Sequence, residues 1–358
     1  MTPYDSLPRQ NFWKASAQAG GALEVDFDYG RKFTFAPADR FATAGSCFAQ
    51  HLARHLETRG VELLAAEARH PLVREDAGHG YGLFSARYGN IYTVRHLREL
   101  VEQALGARAP ICEFVEAPGG RWIDMLRPRA VPMGFSGALH ARADRHFHLQ
   151  AVRRMLETLD VFVFTLGLTE AWENIEHGYC YPIVPGAIAG EHSSRHHRFV
   201  NYSFREVAAD LRRTIELLSA VNPKARVLLT VSPVGLVATA EPRSVMVSTS
   251  ASKSVLRAAV DETVREHAGV DYFPSYEIIT GPYGRGRYWT EGCRDVTEEG
   301  VRVVMEVFAR SRLPAADQTA VPTRSPEPAK SATPASQLRA ALEAECDELF
   351  LDPSTRRR

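Results

Sequence analysis

Ser46 is the residue whose type and setting first suggest chemistry. The string Thr43-Ala44-Gly45-Ser46-Cys47-Phe48-Ala49 passes from an apolar run into a helical pattern through a turn of small residues. A serine so placed lies at the carboxyl end of a strand, the edge at which open α/β sheets bind ligands. Amides at the start of the following helix are donors for a developing oxyanion. The same residue types also serve a plain structural purpose, because serine is a favoured helix N-cap. Cys47 offers a neighbouring thiol, but as the first helical residue it is expected to pack into the sheet, as free cysteines usually do.

These residues need a scaffold, and the remaining pattern describes one. Phe41–Ala44 reads as a short strand, and Cys47–Arg59 carries helical spacing through Phe48, Leu52 and Leu56. Val61–Leu64 reads as a second short strand. Leu159–Leu166 and Ala225–Val231 are unbroken apolar runs rich in β-branched and aromatic residues, as expected of strands buried on both faces. Phe204–Val221, Ser252–His267 and Thr297–Arg310 read as helices, and Val270–Phe273 as a short strand. Such alternation predicts an α/β domain with a parallel sheet flanked by helices. The stretch from Gly106 to His148, rich in Pro, Gly and Arg, reads as an irregular insertion or lid. The domain is expected over residues 1–311. A Pro/Ala/Ser/Thr-rich linker follows over 312–337, then a short C-terminal helix over 338–352 that either frays or docks on the body or a partner.

Composition narrows the function classes. The chain has 358 residues with 43 Lys+Arg and 43 Asp+Glu, so its formal charge is zero. That balance argues against a nucleic-acid binder, which normally shows a basic excess, and fits a small-molecule or neutral carbohydrate ligand better. Five scattered cysteines without a CxxC spacing indicate neither a disulfide framework nor a zinc knuckle. The first residues lack a secretory pattern and no apolar run is long enough to span a bilayer, so a cytoplasmic setting is expected. No glycine-rich phosphate loop with lysine occurs, and no cofactor is expected.

Gly45-Ser46-Cys47-Phe48-Ala49 resembles the motif that names the GSCFA family. Further strings resembling that family follow in order: Tyr88-Gly89-Asn90-Ile91-Tyr92-Thr93, Phe164 through Trp172, Leu229 through Pro233, Ser252-Lys253-Ser254 and Tyr272 through Ile278. The resemblance covers Phe41 to Arg310. The family is grouped with the SGNH/GDSL-like hydrolases, which implies a flavodoxin-like SGNH-type sheet, a serine nucleophile and acyl chemistry on sugars or polysaccharides. Ser46 then matches the nucleophile, with its own N–H in the oxyanion hole and Gly89 or Asn90 as a second donor. Gly167 falls in the third block, whose usual asparagine is unassigned here, with Asn90 and Asn174 as stand-ins. The Asp-x-x-His block that normally supplies the base is replaced, with Gly292 at the Asp position and Asp295 at the His position.

A serine hydroxyl without a positioned base is a poor nucleophile at neutral pH. Asp295 is one substitute, but an ordinary carboxylate is too weak a base unless buried. Among the 13 histidines, His177 is the better-placed candidate, following the run that ends at Trp172. His51 and His55 are expected to point away from the start of their helix. His192, His196 and His197 could bind a metal, though adjacent residues rarely converge on one ion, and no metal site is expected. His146 and His148 alternate across Phe147 and read as structural. Thr169-Glu170 suits either hydrogen bonding to sugar hydroxyls or a surface position, and Trp172, Tyr288 and Trp289 suit either stacking on a sugar or the core. Two functions remain open: a serine esterase or acyl (acetyl) transferase acting on an acylated carbohydrate, or a catalytically silent glycan- or acyl-ligand-binding protein.

Overall fold

The order of elements follows from alternating buried runs and amphipathic helices. A short helix α1 (Trp13–Ala17) precedes β1 (Phe41–Ala44) and α2 (Cys47–Thr58). Next come α3 (Val94–Ala104), β2 (Phe114–Ala117), β3 (Arg121–Asp124), α4 (Ala138–Thr158) and β4 (Val161–Leu166). Then follow β5 (Glu170–Asn174), β6 (Cys180–Tyr181), β7 (His197–Asn201), α5 (Phe204–Val221) and β8 (Arg226–Val231). The series ends with α6 (Val245–Glu266), β9 (Val270–Tyr272), α7 (Ser275–Thr280) and α8 (Glu298–Arg312). The computed structural model describes residues 2–17, 21–59, 61–68, 80–82, 84–314 and 347–352.

The central sheet is parallel, with strand order β1-β4-β8-β9. Every residue of β4 is buried, and the two-residue period of a strand splits its side chains between two cores. Phe162 and Phe164 join the core made with α3, α4, α5 and α6. Val161 and Val163 join the opposite core with Leu52 and Leu56 of α2 and Val304 and Phe308 of α8. Helices on both faces of a parallel sheet make this an α/β flavodoxin-like fold.

Several elements differ from the sequence expectation. Val61–Leu64 contributes only a parallel bridge between Leu63 and Phe41, because the chain then diverges and Ala66 pairs with Ser85. The stretch expected to be irregular holds an antiparallel β2–β3 hairpin and the start of α4. The apolar stripe of α4 is interrupted by Arg145 and His148, both buried, which hides its helical period. His146 and His148 therefore lie on a helix rather than an extended strand. A second antiparallel sheet, ordered β6-β5-β7, was not expected at all, because its strands carry Glu170, Glu173, Asn174, His197 and Arg198. Helix α6 starts at Val245 rather than Ser252, its first turn exposing Met246 and Val247.

Helix α8 runs to Arg312, which is fully buried and bonded to Asp28 and Asp271. The expected linker beyond Pro314 and the expected C-terminal helix up to Cys346 lie outside the described residues. So do the side chains of Cys47 and His51. Asp347–Leu351 is described and forms a single 3-10 turn against the body. Among the described residues no helix is long and apolar enough to cross a membrane.

Candidate functional site

β1 delivers Ser46 to the carboxyl edge of the sheet. Ala44 pairs with Phe164, and the chain turns at Gly45 with φ +142°. A Cβ at Gly45 would lie 2.7 Å from the Thr165 carbonyl oxygen, a backbone atom that cannot swing aside. Gly45→Ala is therefore expected to cost about 1–3 kcal/mol of stability, measurable by urea denaturation. Ser46 then caps α2 from extended backbone, but its side chain makes no cap hydrogen bond. The residue is buried. Its hydroxyl is not used in holding the helix.

A second turn is stitched beside it. Ser85 Oγ accepts from the Thr43 N–H at 3.1 Å, Tyr88 donates its hydroxyl to the Thr43 carbonyl, and the Ile91 N–H donates to the Gly45 carbonyl at 2.8 Å. Gly89 bends this loop with φ +72°, a conformation glycine adopts without cost. Asn90 follows, buried, next to the Gly45–Ser46 turn. Its Nδ2 donates to Asp347 Oδ2 at 3.0 Å, while its Oδ1 has no partner among the described residues. Gln50, one helical turn after Ser46, also has a buried unpartnered Oε1. Gln50, Asn90, Arg129 and Asp347 face a cavity of about 40 Å³.

The third contribution comes from the end of β4. The Gly167 and Leu168 N–H groups both donate to the Tyr92 carbonyl at 3.0 Å, tying β4 to the Asn90 loop. The Gly167 carbonyl accepts from Lys253 Nζ, a buried amine on α6. β1 and β4 run parallel with Ala44 opposite Phe164, so Lys253, bonded to the Gly167 carbonyl just past β4, lies at the same carboxyl end of the sheet as Ser46. Glu170 opens β5, buried, with Oε1 accepting from the Thr239 hydroxyl at 2.7 Å. Burial raises its pKa above the ordinary carboxylate value. It lines a larger cavity of about 260 Å³ with Tyr92, His96, Trp172, Phe199 and Leu351. Burial pushes the His96 imidazole down to about 3, with Arg145 adding to the effect, so His96 is neutral there.

The GSCFA family model matches residues 40–308, most of the chain. This chain belongs to the GSCFA family. The match runs from the residue before β1 into α8 and includes Ser46, the Gly89–Asn90 turn, Gly167 and Lys253. No curated protein and no solved structure matches the chain.

Not every candidate residue of this GSCFA chain reaches that edge. Gly45, Ser46, Gly89, Asn90, Gly167 and Glu170 all do. His177 is exposed in the turn between β5 and β6, its ring stacked on Tyr179, and does not join Ser46. Asp295 is exposed and paired with Arg294 at 2.7 Å. A bridge between Trp289 and Val296 and the bond from the Thr290 N–H to the Asp295 carbonyl hold its loop as a small hairpin. Gly292 is exposed at the tip of the same loop. Asn174 donates to the hydroxyls of Tyr179 and Tyr181, a role within the second sheet. Among the described residues no group of three His, Cys, Asp or Glu side chains could hold a metal ion.

Other residues at the edge had no role in the sequence reading. Asp347 accepts from Arg129 Nη1 at 3.0 Å, and its N–H donates to the Tyr92 hydroxyl at 2.9 Å. Arg294, not Asp295, turns toward the site and lies 3.5 Å from Glu348. Lys253 was visible as part of a string but not as a functional group. Its signal was helical spacing, because it precedes the buried Leu256 by three positions and Val260 by seven, putting a lysine on an apolar stripe.

Proposed function

We propose that this GSCFA chain removes or transfers an acyl group on an acylated carbohydrate, with Ser46 as nucleophile. One observation carries the reading: the Asn90 amide, fixed beside the Ser46 turn, is bonded to a carboxylate oxygen. A donor that already holds a charged oxygen beside that turn supports reading Asn90 as an oxyanion donor. Ser46 contributes its own N–H at the start of α2, where amides favour negative charge.

In this reading Lys253 supplies the base that the altered Asp-x-x-His block does not. Serine–lysine pairs are a recurrent variant of serine catalysis. Ser46 Oγ attacks the ester carbonyl carbon while its proton passes to the Lys253 amine. The resulting oxyanion is held by Asn90 and the Ser46 N–H. Collapse expels the sugar oxygen, which takes the proton back from Lys253. Water or a second hydroxyl then attacks the acyl-serine, giving hydrolysis or transfer. Trp172 and Phe199 offer faces for a sugar ring in the larger cavity, with Glu170 and Thr239 as polar partners.

The outward position of Asp295 favours a second reading, a ligand-binding protein without turnover. A fluorophosphonate probe separates the two. Under the enzyme reading, mass spectrometry finds the adduct on Ser46, and labelling slows strongly in Lys253→Arg, since arginine stays protonated. A native chain that takes up no label at Ser46 sinks the enzyme reading. Equal labelling of the two chains removes Lys253 from it.

A further inference from the structure

We infer that Asp347–Leu351 is a built-in product mimic that closes this site, and that the acyl group the site accepts is a short apolar chain. The inference rests on reading Ser46 as the nucleophile. Ester hydrolysis leaves a carboxylate with one oxygen at the oxyanion donors. Asp347 presents that arrangement, with Oδ2 on the Asn90 amide and Oδ1 on Arg129.

The neighbouring residues complete the likeness. Leu349 packs against Tyr92, Leu168 and Leu236, an apolar pocket beside the carboxylate where the hydrocarbon part of an acid would sit. Leu351 lines the larger cavity, and Arg129 lies over the Phe350 ring at 5.7 Å. Glu348 meets Arg294 at 3.5 Å, so two arginines face two successive acidic residues. The buried oxygens of Gln50 and Asn90 beside Asp347, without partners among the described residues, mark a polar site with capacity beyond what the segment uses. An ester carbonyl oxygen bound at the Asn90 N–H that Asp347 now holds would displace the Asp347 carboxylate from it. Turnover therefore requires the segment to leave, and a free carboxylic acid competes with it.

The test compares the native full chain with a full chain carrying Asp347→Ala and Leu349→Ala, using p-nitrophenyl butyrate as substrate and butyrate as inhibitor. If the segment occupies the site nine-tenths of the time, the double variant gains about tenfold in kcat/KM, and its inhibition constant for butyrate falls by the same factor. Asp347→Asn, which keeps the shape but weakens the pairing with Arg129, gives a smaller gain in the same direction. Equal kcat/KM and equal butyrate inhibition in all three folded chains overturn the inference. Should no chain turn over the ester, the nucleophile reading falls separately. Calorimetric binding of butyrate then decides occupancy alone: tighter binding by the double variant upholds it, and equal binding overturns it.

Discussion

Ser46→Ala is expected to lower turnover of p-nitrophenyl butyrate by at least about 10³-fold while leaving thermal stability nearly unchanged. The two halves of this expectation have separate causes. Under the proposed function, removing the nucleophile leaves only binding and oxyanion stabilisation, and a serine enzyme stripped of its nucleophile keeps a small residual rate. The stability half follows from the cap geometry. Replacing a capping serine normally costs about 1 kcal/mol because a hydrogen bond to the first turn is lost. Here the side chain makes no such bond, so alanine forfeits none. Steady-state kinetics and a melting curve on one preparation check both halves. A variant that melts early but keeps its turnover would reduce Ser46 to a helix cap.

Glu67→Ala is the substitution expected to harm the fold most. Glu67 accepts from the Arg87 N–H and Nε, both at 2.8 Å, and lies 2.7 Å from His148 Nδ1. The side chains of all three are almost wholly shielded from solvent. Burial pushes the Glu67 carboxyl up, but His148, Arg87 and Arg127 together outweigh it and hold it well below the usual range. Taking away one member of a buried charged network costs about 3–5 kcal/mol. Arg87 lies three residues before Asn90, so the same change loosens the Gly89–Asn90 turn, and under the proposed function it lowers kcat. The pH sense follows from the depressed carboxyl: its contribution is present above the unfolded value near 4.5 and is lost as pH falls through the folded value. Burial also lowers His148 to about 4, so an unfolded chain takes up a proton from about pH 6.5 downward that the folded chain refuses. Denaturant titrations of native and variant chains at pH 7, at about pH 5 for the His148 effect and at about pH 3 for the Glu67 effect measure these contributions. A loss under 1 kcal/mol at pH 7 would show that the network is not what holds the loop.

The sheet was legible where strands are apolar on both faces. Val161–Leu166 and Arg226–Val231 could hardly be anything else, and Phe204–Val221 shows its apolar stripe openly. Helix α4 hid its period because Arg145 and His148 bury their polar atoms among partners that lie far away in sequence. The second sheet was illegible for a related reason, since Glu173 sits on a strand but is held by Arg95, Arg198 and Tyr202. At the site, Ser46, Gly89 and Asn90 could be marked because their turns are local. Lys253 and Asp347 could not, because a lysine on α6 and an aspartate beyond residue 314 meet Ser46's neighbours only through the tertiary fold.

β1 and β4 are adjacent in space but distant along the chain: the bonds from Arg40 to Asp160 that open their pairing span 120 residues. During synthesis at about 5–20 residues per second, β1 therefore waits about 6–24 s for the strand that supports it. Through that interval Phe41–Ala44 is an apolar strand without its neighbour, and the Gly45–Ser46 turn has no Thr165 to close against. The Ser46 turn is thus assembled late. Conditions that delay the middle third of the polypeptide should cost yield of active protein before they alter the finished molecule, because an early apolar strand left waiting is a site for aggregation or chaperone capture.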